Sequence, residues 1–385
     1  MSTVKINSIK AWILAARPKT LTGAAVPVMI GTAFAWKNCG AEMFQMIPAI
    51  LCFLFAFVMQ IDANFINDYF DCLKGNDDSS TRLGPKRACS EGWITLKAMR
   101  WGLMITTLLA CLIGLPLIYF GGIEMIIIGI ICVLFCFLYT TKLSYIGLGD
   151  LLVLVFFGII PVCLTYYVIV PKDMQYIPWT VFLTSLGCGL VIDTLLCINN
   201  FRDRNNDKKD GKITLIVRLG ENRGYKLYQT VGFIGVILTM IAILIEGMEI
   251  DKNQETILAL TAFIPYTILL DNASKKMKSI WKGKELNLVL GMTALQRFTA
   301  ARSFSKPVSA LLTAGLVPAA ASLWRHLNIW KVTEAFKGFP YTHTDLSIKT
   351  VANHPDAPYT TGLLIGLIIT VLSAVVILYR AKRSA

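Results

Sequence analysis

Residues 122–141 read GIEMIIIGIICVLFCFLYTT, a run of 20 residues in which Glu124 is the only charged side chain. This run has the length and the apolar character that an α-helix needs to cross a bilayer. Nine further candidates lie along the chain, near 11–36, 43–66, 97–119, 148–170, 179–198, 225–246, 255–273, 307–324 and 360–379. The sequence therefore predicts an all-α, multi-pass transmembrane helical bundle.

The composition supports a membrane protein and argues against two other classes. Only 16% of the 385 residues are charged, whereas soluble domains carry about a quarter. The formal charge of +13 does not indicate nucleic-acid binding, because the basic residues occupy short loops instead of one continuous face. None of the ten cysteines forms a CxxC pair, and most lie in apolar runs. They are therefore expected to be small buried side chains and not metal ligands. No protein partner is evident.

The charges of the loops predict the orientation of the chain. The segments 71–100, 199–226 and 274–285 are rich in lysine and arginine, whereas 246–255 carries four acidic residues and one lysine. Basic loops remain in the cytoplasm. We therefore expect a multi-pass protein of the cell (cytoplasmic) membrane, with the two long basic loops on the cytoplasmic side.

Two acidic motifs open these two long loops. The first is NFINDYFDCLKGND at 64–77, in which Asn64, Asn67, Asp68 and Asp71 are spaced by three or four residues. The second is INNFRDRNNDKKDGK at 198–212. On a helix these spacings place oxygen ligands on one face.

Carboxylates gathered at a membrane boundary repel one another unless a positive group joins them. Hard oxygen ligands suit Mg²⁺, which also keeps phosphate oxygens in its coordination shell. A single Asp-x-x-x-Asp pair would more often be explained by solvation of a helix end than by metal binding. Here there are two groups of carboxylates, each preceded by asparagines, and both lie at the same side of the membrane. Together they predict a site for a diphosphate bridged by magnesium.

Four stretches in this order resemble the UbiA superfamily of intramembrane prenyltransferases. They are the first motif with TRLGPKR at 81–87, SYIGLGDLLVLVFFGIIPV at 144–162, the second motif with ITLIVRLG at 213–220, and KELNLVLGMTA at 284–294. ARPKTLTGAAVPVMIG at 16–31 is similar to the opening helix of that family. The resemblance implies nine spans around a lipid-open central cavity, or ten if 307–324 also crosses. It assigns 1–294 to a prenyltransferase domain and leaves 295–385 as a divergent C-terminal segment.

The resemblance also implies the roles of individual residues. Those implied as catalytic are Asp68, Asp71, Asp203, Asp207 and Asp150. Those implied as Mg²⁺ ligands are Asn67, Asp71, Asp77, Asp203 and Asp207. Those implied in substrate binding are Arg17, Lys19, Asn64, Lys74, Lys142, Gly149, Asn199, Arg202 and Lys212. For Lys142, an ordinary cytoplasmic anchor is an equally good interpretation. Aromatic residues at 156, 157, 166 and 167 are candidates for the cavity wall, although packing is the commoner role.

Within the superfamily, the motifs are most similar to those of the branch that acts on 1,4-dihydroxy-2-naphthoate. The implied reaction moves a polyprenyl group from polyprenyl diphosphate to that acceptor, with loss of CO₂ and diphosphate, and gives demethylmenaquinol. Two alternatives remain at this stage. One is a related enzyme for another aromatic acceptor, and the other is a cation-coupled secondary transporter.

Overall fold

A computed structural model describes residues 4–75, 82–250, 260 and 263–293. Its helices are α1 Ile9–Ala16, α2 Pro18–Met43, α3 Met46–Lys74, α4 Leu96–Gly114, α5 Leu117–Gly121, α6 Glu124–Thr141, α7 Gly149–Leu154, α8 Ile160–Ile169, α9 Trp179–Lys209, α10 Leu215–Leu219, α11 Glu221–Ile250, α12 Phe263–Ile280 and α13 at 286–293. The described residues contain no strand, and six of their helical stretches are long and apolar enough to cross a membrane. The prediction of an all-α, multi-pass membrane bundle is confirmed.

The number of spans and the domain division stay predictions. The candidate spans at 307–324 and 360–379 lie outside the described residues, as does the whole segment 295–385.

The first predicted span is interrupted at Arg17. The chain adopts a left-handed conformation there, with φ 50° and ψ 68°, so α1 and α2 are separate helices. Pro18 explains the break, because a residue that precedes proline is disfavoured in the α conformation. The break brings the Arg17 guanidinium near α3, where Nη1 donates to Asn64 Oδ1 at 3.5 Å and Nη2 lies 3.8 Å from Asp68 Oδ2.

The two helices that carry the acidic motifs are longer than their apolar runs. α3 continues eight residues beyond the predicted end at 66, and α9 continues eleven beyond the predicted end at 198. Residues 64–74 of the first motif and 198–209 of the second therefore lie on helix, as their spacing indicated. α3 ends at Gly75, whose φ of 72° is a left-handed cap that suits glycine. α9 is central and packs against α7, α8, α10 and α11.

A π-helical turn at Val155–Ile159 joins α7 to α8 in one span. Pro161 lacks an N–H and cannot donate to the carbonyl oxygen of Phe157. The Cys188 thiol of α9 donates to that oxygen at 3.8 Å. Gly158 allows the two elements to approach, since a Cβ there would lie 2.6 Å from the Ser185 carbonyl oxygen. The turn therefore sets how closely α9 packs behind the site described below.

This close approach predicts that Gly158→Ala separates α9 from the π-helical turn. We expect a loss of about 1–3 kcal/mol in the free energy of unfolding, measured in mixed detergent micelles. Gly129→Ala in α6 is the matched control, because a Cβ at that position meets no atom within 4 Å beyond the local backbone of its own helix. Equal stability of the two variants would contradict the proposed packing constraint.

Candidate active site

A polar cavity of about 310 Å³ lies between the ends of α3 and α9. Its wall includes charged and amide side chains from the break between α1 and α2, from α3, the 82–94 loop, α7 and α9, and from the segment that follows α9. These are Arg17, Asn67, Asp71, Arg82, Arg87, Asp150, Asn199, Asn200, Arg202, Asp203 and Lys212. The structure thus brings both sequence motifs to one cavity.

Each motif carboxylate in or behind this wall has a basic neighbour. Asp71 Oδ2 lies 3.7 Å from Arg87 Nη2. The Arg202 guanidinium makes a bidentate contact with Asp203, in which Nε donates to Oδ1 at 2.8 Å and Nη2 donates to Oδ2 at 2.5 Å. Asp207 is not in the wall, but it lies 3.4 Å from the wall residue Lys212.

The cavity wall carries more positive than negative side chains. Its five bases are Arg17, Arg82, Arg87, Arg202 and Lys212, and its three acids are Asp71, Asp150 and Asp203. Burial lowers the pKa of Arg82 from its usual value, and the positive charges of Arg17 and Arg202 add to that effect against the opposing Asp203 and Asp71. Crowded, partly desolvated cations favour an anionic ligand. The cavity is therefore suited to a highly charged anion.

The oxygen donors of this site fit a hard divalent cation. Asp71, Asp203 and the Asn67 amide share the cavity wall. Asp207 Oδ2 is buried without a hydrogen-bond partner, so it retains a lone pair for a ligand. Carboxylate and amide oxygens without sulfur or imidazole are the donor set that Mg²⁺ prefers.

A second, apolar cavity of about 530 Å³ adjoins the polar one. Thr20, Asn67, Tyr139, Leu196 and Asn199 line both cavities. Along α3 the apolar wall runs from position 52 to position 67, a rise of about 22 Å. A ligand with a charged head and a long apolar tail would match this pair of cavities.

The wall of the apolar cavity reaches the outer surface of the bundle. Leu115 and Ile130 line it and are 53% and 61% exposed. Such a wall is what an opening towards lipid requires.

Two of the predicted aromatic residues, Phe156 and Phe157, line this cavity. Tyr166 is instead fully buried elsewhere and receives a hydrogen bond from Asn38.

Two predicted site residues of α3 lie behind the polar wall. Asp68 is fully buried and accepts hydrogen bonds from the backbone N–H groups of Ala88 and Cys89, at 2.9 and 3.0 Å. Asn64 donates to the Ala16 carbonyl oxygen and to Thr20 Oγ1. These contacts fix the 82–94 loop and the start of α2 beside the cavity.

Three predicted lysines also lie outside the described cavity wall. Lys19 and Lys142 are exposed, and Lys74 donates to the Thr141 carbonyl oxygen at 3.0 Å while its Nζ lies over the Tyr145 ring. Gly149 and Asn199 do line the wall. Asp77 lies outside the described residues. The substrate-binding and metal roles of all these residues stay predictions.

The sequence did not single out every residue of the wall. Arg82 and Arg87 belong to the TRLGPKR stretch, so a base count of that loop would have identified them. Asn287 is not part of the wall but contacts the wall residue Arg202, and its sequence signal was weaker. It accepts from Arg202 Nη1 at 2.8 Å and donates to the Leu83 carbonyl oxygen at 2.9 Å. It thereby joins α13, α9 and the 82–94 loop.

Comparison with known proteins connects this architecture to a family. A sequence model of the UbiA prenyltransferase family matches residues 24–270. A 1,4-dihydroxy-2-naphthoate octaprenyltransferase of Escherichia coli is 38% identical over 230 residues, which cover 57% of this chain and 72% of the relative. The Mycobacterium tuberculosis enzyme of the same name is 33% identical over 241 residues, which cover 62% and 79%.

Solved structures share the fold. A UbiA homolog from Archaeoglobus fulgidus bound to DMAPP and Mg²⁺ has a TM-score of 0.51 and 16% identity, over 76% of this chain and 99% of the homolog. A UbiA homolog from Aeropyrum pernix has a TM-score of 0.53 and 13% identity, over 73% and 96%. At these identities the likeness concerns the helical arrangement alone.

The contacts of Asp68 predict that Asp68→Ala releases the 82–94 loop from α3. Each backbone hydrogen bond to a carboxylate contributes about 1.5–3 kcal/mol, so trypsin should cleave faster after Lys86 and Arg87. Asp68→Asn keeps one acceptor oxygen and should give an intermediate rate. Asp210→Ala, at an exposed site that ends α9, is the control. Equal cleavage rates in all four proteins would rule out the anchoring role.

Proposed function

This chain belongs to the UbiA prenyltransferase family, and from that membership and the paired cavities we propose that it transfers a polyprenyl group from polyprenyl diphosphate to 1,4-dihydroxy-2-naphthoate. It is a multi-pass membrane prenyltransferase. The acceptor is proposed from the names of its relatives in Escherichia coli and Mycobacterium tuberculosis. The observation that carries the proposal is the direct junction of a cation-rich cavity with a long apolar one.

We assign the diphosphate to the polar cavity. Arg17, Arg82, Arg87, Arg202 and Lys212 would bind its oxygens and stabilise the negative charge that grows as the allylic C–O bond breaks. Arg202 is held in place by Asn287 and Asp203, so it is preorganised for this contact. The exposed Lys19, Lys74 and Lys142 would act through longer-range attraction of the anion.

Mg²⁺ is the proposed cofactor, held by Asn67, Asp71, Asp203 and Asp207, with Asp77 as a further ligand. When bound, it supplies positive charge to the diphosphate and lowers the energy of the departing leaving group. Asp68 is proposed to act indirectly, because both of its oxygens hold the 82–94 loop that carries Arg87. This divides the first motif into metal-facing residues and one anchoring residue.

The prenyl chain would lie in the apolar cavity with its first carbon at the junction lined by Tyr139, Leu196 and Asn199. C–O cleavage leaves the electron pair on diphosphate and positive charge on that carbon. Phe156 and Phe157 line the same cavity and would shield the cation from water. Exclusion of water directs the cation to the aromatic ring.

The acceptor would enter beside Gly149 and Asp150, which line the polar cavity. The ring carbon that bears the carboxylate forms the new C–C bond to the prenyl group. The electron pair of its bond to the carboxylate then restores the aromatic ring, and CO₂ leaves to give demethylmenaquinol. Asp150 is proposed to hold the proton of a ring hydroxyl during attack and to return it afterwards.

The loop charges lead us to place this site on the cytoplasmic side of the cell membrane, where a charged diphosphate is available. The transporter alternative is dropped, because the family to which the chain belongs consists of prenyltransferases.

Removal of a metal-facing carboxylate should abolish prenyl transfer. Asp71→Ala and Asp203→Ala are each expected to lower kcat by about 10²-fold or more, because the diphosphate loses its electrostatic stabilisation. The assay measures prenylated product formed by purified protein with and without Mg²⁺. Asp210→Ala is the control, since this residue lies on the same helix end but is exposed. Full activity of Asp71→Ala and Asp203→Ala would exclude the assigned metal site.

A panel of acceptors tests the aromatic substrate. With 1,4-dihydroxy-2-naphthoate labelled in its carboxyl group, we expect prenylated naphthoquinol by mass spectrometry and one labelled CO₂ for each product molecule. 4-Hydroxybenzoate and homogentisate should give much less product. A higher rate with either of them, or retention of the label in the product, would contradict the assigned acceptor or the assigned loss of CO₂.

A further inference from the structure

A second group of ligand-type side chains lies apart from the two acidic motifs. Asp150 at the start of α7 meets Asp193 and Cys197 of α9, and one ligand atom from each lies within 4.8 Å of the others. The Cys197 Sγ is 3.8 Å from Asp150 Oδ1 and 3.6 Å from Asp193 Oδ2. Asp193 lies ten residues before Asp203 on α9, about 15 Å along the helix.

The two carboxyl groups are not neutralised by side chains of the described residues. Asp193 is only 3% exposed, and its Oδ1 has no hydrogen-bond partner, nor has the buried Asp150 Oδ2. The Cys197 thiol contacts both carboxyl groups, and no arginine or lysine of the described residues forms an ion pair with either of them. Tyr139 of α6 is the other titratable group nearby. Burial of two acids without a cation or a proton is strongly unfavourable.

Both sulfur–oxygen separations fit a tetrahedral metal centre. Asp193 and Cys197 are four residues apart, so they lie on one face of α9, and the third donor comes from another helix. An ion with bonds of about 2.3 Å to sulfur and about 2.0 Å to oxygen separates these atoms by about 3.5 Å. The observed separations of 3.6 and 3.8 Å are close to that value.

We propose that Asp150, Asp193 and Cys197 form a binding site for a divalent cation of Zn²⁺ type, distinct from the proposed Mg²⁺ site. The thiolate in the donor set favours Zn²⁺ over Mg²⁺. Binding displaces the thiol proton to solvent, and the ion offsets the charge of the carboxylates. Asp150 would bind the ion through Oδ1, which faces Cys197. Its Oδ2 would not bind the ion, and the same side chain also lines the polar cavity. This site goes beyond the proposed prenyl transfer.

The experiment uses the full chain, purified in detergent, treated with a chelator and then titrated with Zn²⁺ or Cd²⁺ in the absence of Mg²⁺ and diphosphate. Bound metal is counted by mass spectrometry after desalting, and Cd²⁺–thiolate bonds are followed by their ultraviolet charge-transfer absorbance. All proteins carry Cys111→Ser, because Cys111 is an exposed thiol. The test variants are Cys197→Ser and Asp193→Asn. Cys188→Ser is the control, since Cys188 is buried on the same helix outside the cluster.

We expect one thiolate-bound metal ion per chain, counted by the charge-transfer absorbance, in the Cys111→Ser background and in the Cys188→Ser control, and at least a tenfold loss of affinity for that ion in the two test variants. An ion in the proposed Mg²⁺ site has no sulfur ligand and does not contribute to this absorbance. X-ray absorption of the zinc-loaded Cys111→Ser protein should show one sulfur ligand with oxygen ligands, a result that does not depend on the folding of the test variants. Absence of sulfur, absence of retained metal, or unchanged binding in Cys197→Ser would overturn the site. Because no prenyl substrate is present, this outcome is independent of the transferase assay.

Discussion

The structure depends on electrostatic compensation at one end of the bundle. α3 and α9 both carry carboxylates to the same polar cavity, and arginines from the 82–94 loop and from the break before α2 meet them there. Charged groups in a protein surrounded by lipid must be paired or bind a ligand. The basic side chains exceed the acids, so the cavity favours an anion, while the carboxylate oxygens in the wall fit a divalent cation. A magnesium-bound diphosphate meets both requirements.

The rigid parts of the fold position this cavity. Pro18 ends α1 and leaves Arg17 in a left-handed conformation, from which its side chain reaches Asn64 and Asp68. Asp68 in turn holds the loop that carries Arg82 and Arg87. The π-helical turn, with Gly158 against the Ser185 carbonyl oxygen, sets the spacing between α9 and the span that begins at Gly149. The polar wall is therefore built from several elements, each fixed by a local backbone feature.

α9 connects the two sites proposed for this chain. Its C-terminal end carries Asp203 and Asp207, the proposed Mg²⁺ ligands, and its interior carries Asp193 and Cys197, whose donor set includes sulfur. Both groups use a four-residue spacing, since that spacing puts two donors on one helical face. The cysteines were expected from the sequence to be only buried apolar residues, and Cys197 is the one whose surroundings suggest more.

The all-helical membrane architecture could be predicted from the amino-acid sequence alone, because apolar runs of bilayer length permit little else. The sequence also determined the two acidic motifs, whose helical spacing is visible in the letters. Which residues share the polar wall became visible only in the folded chain: Asp68 lies behind the wall, Arg87 and Asn199 line it, and Lys142 lies on the surface. The pairing of Asp150 with Asp193 was likewise decided by packing. Contacts between residues distant in sequence depend on how helices pack, and helical periodicity gives the face of each residue but not its partner on another helix.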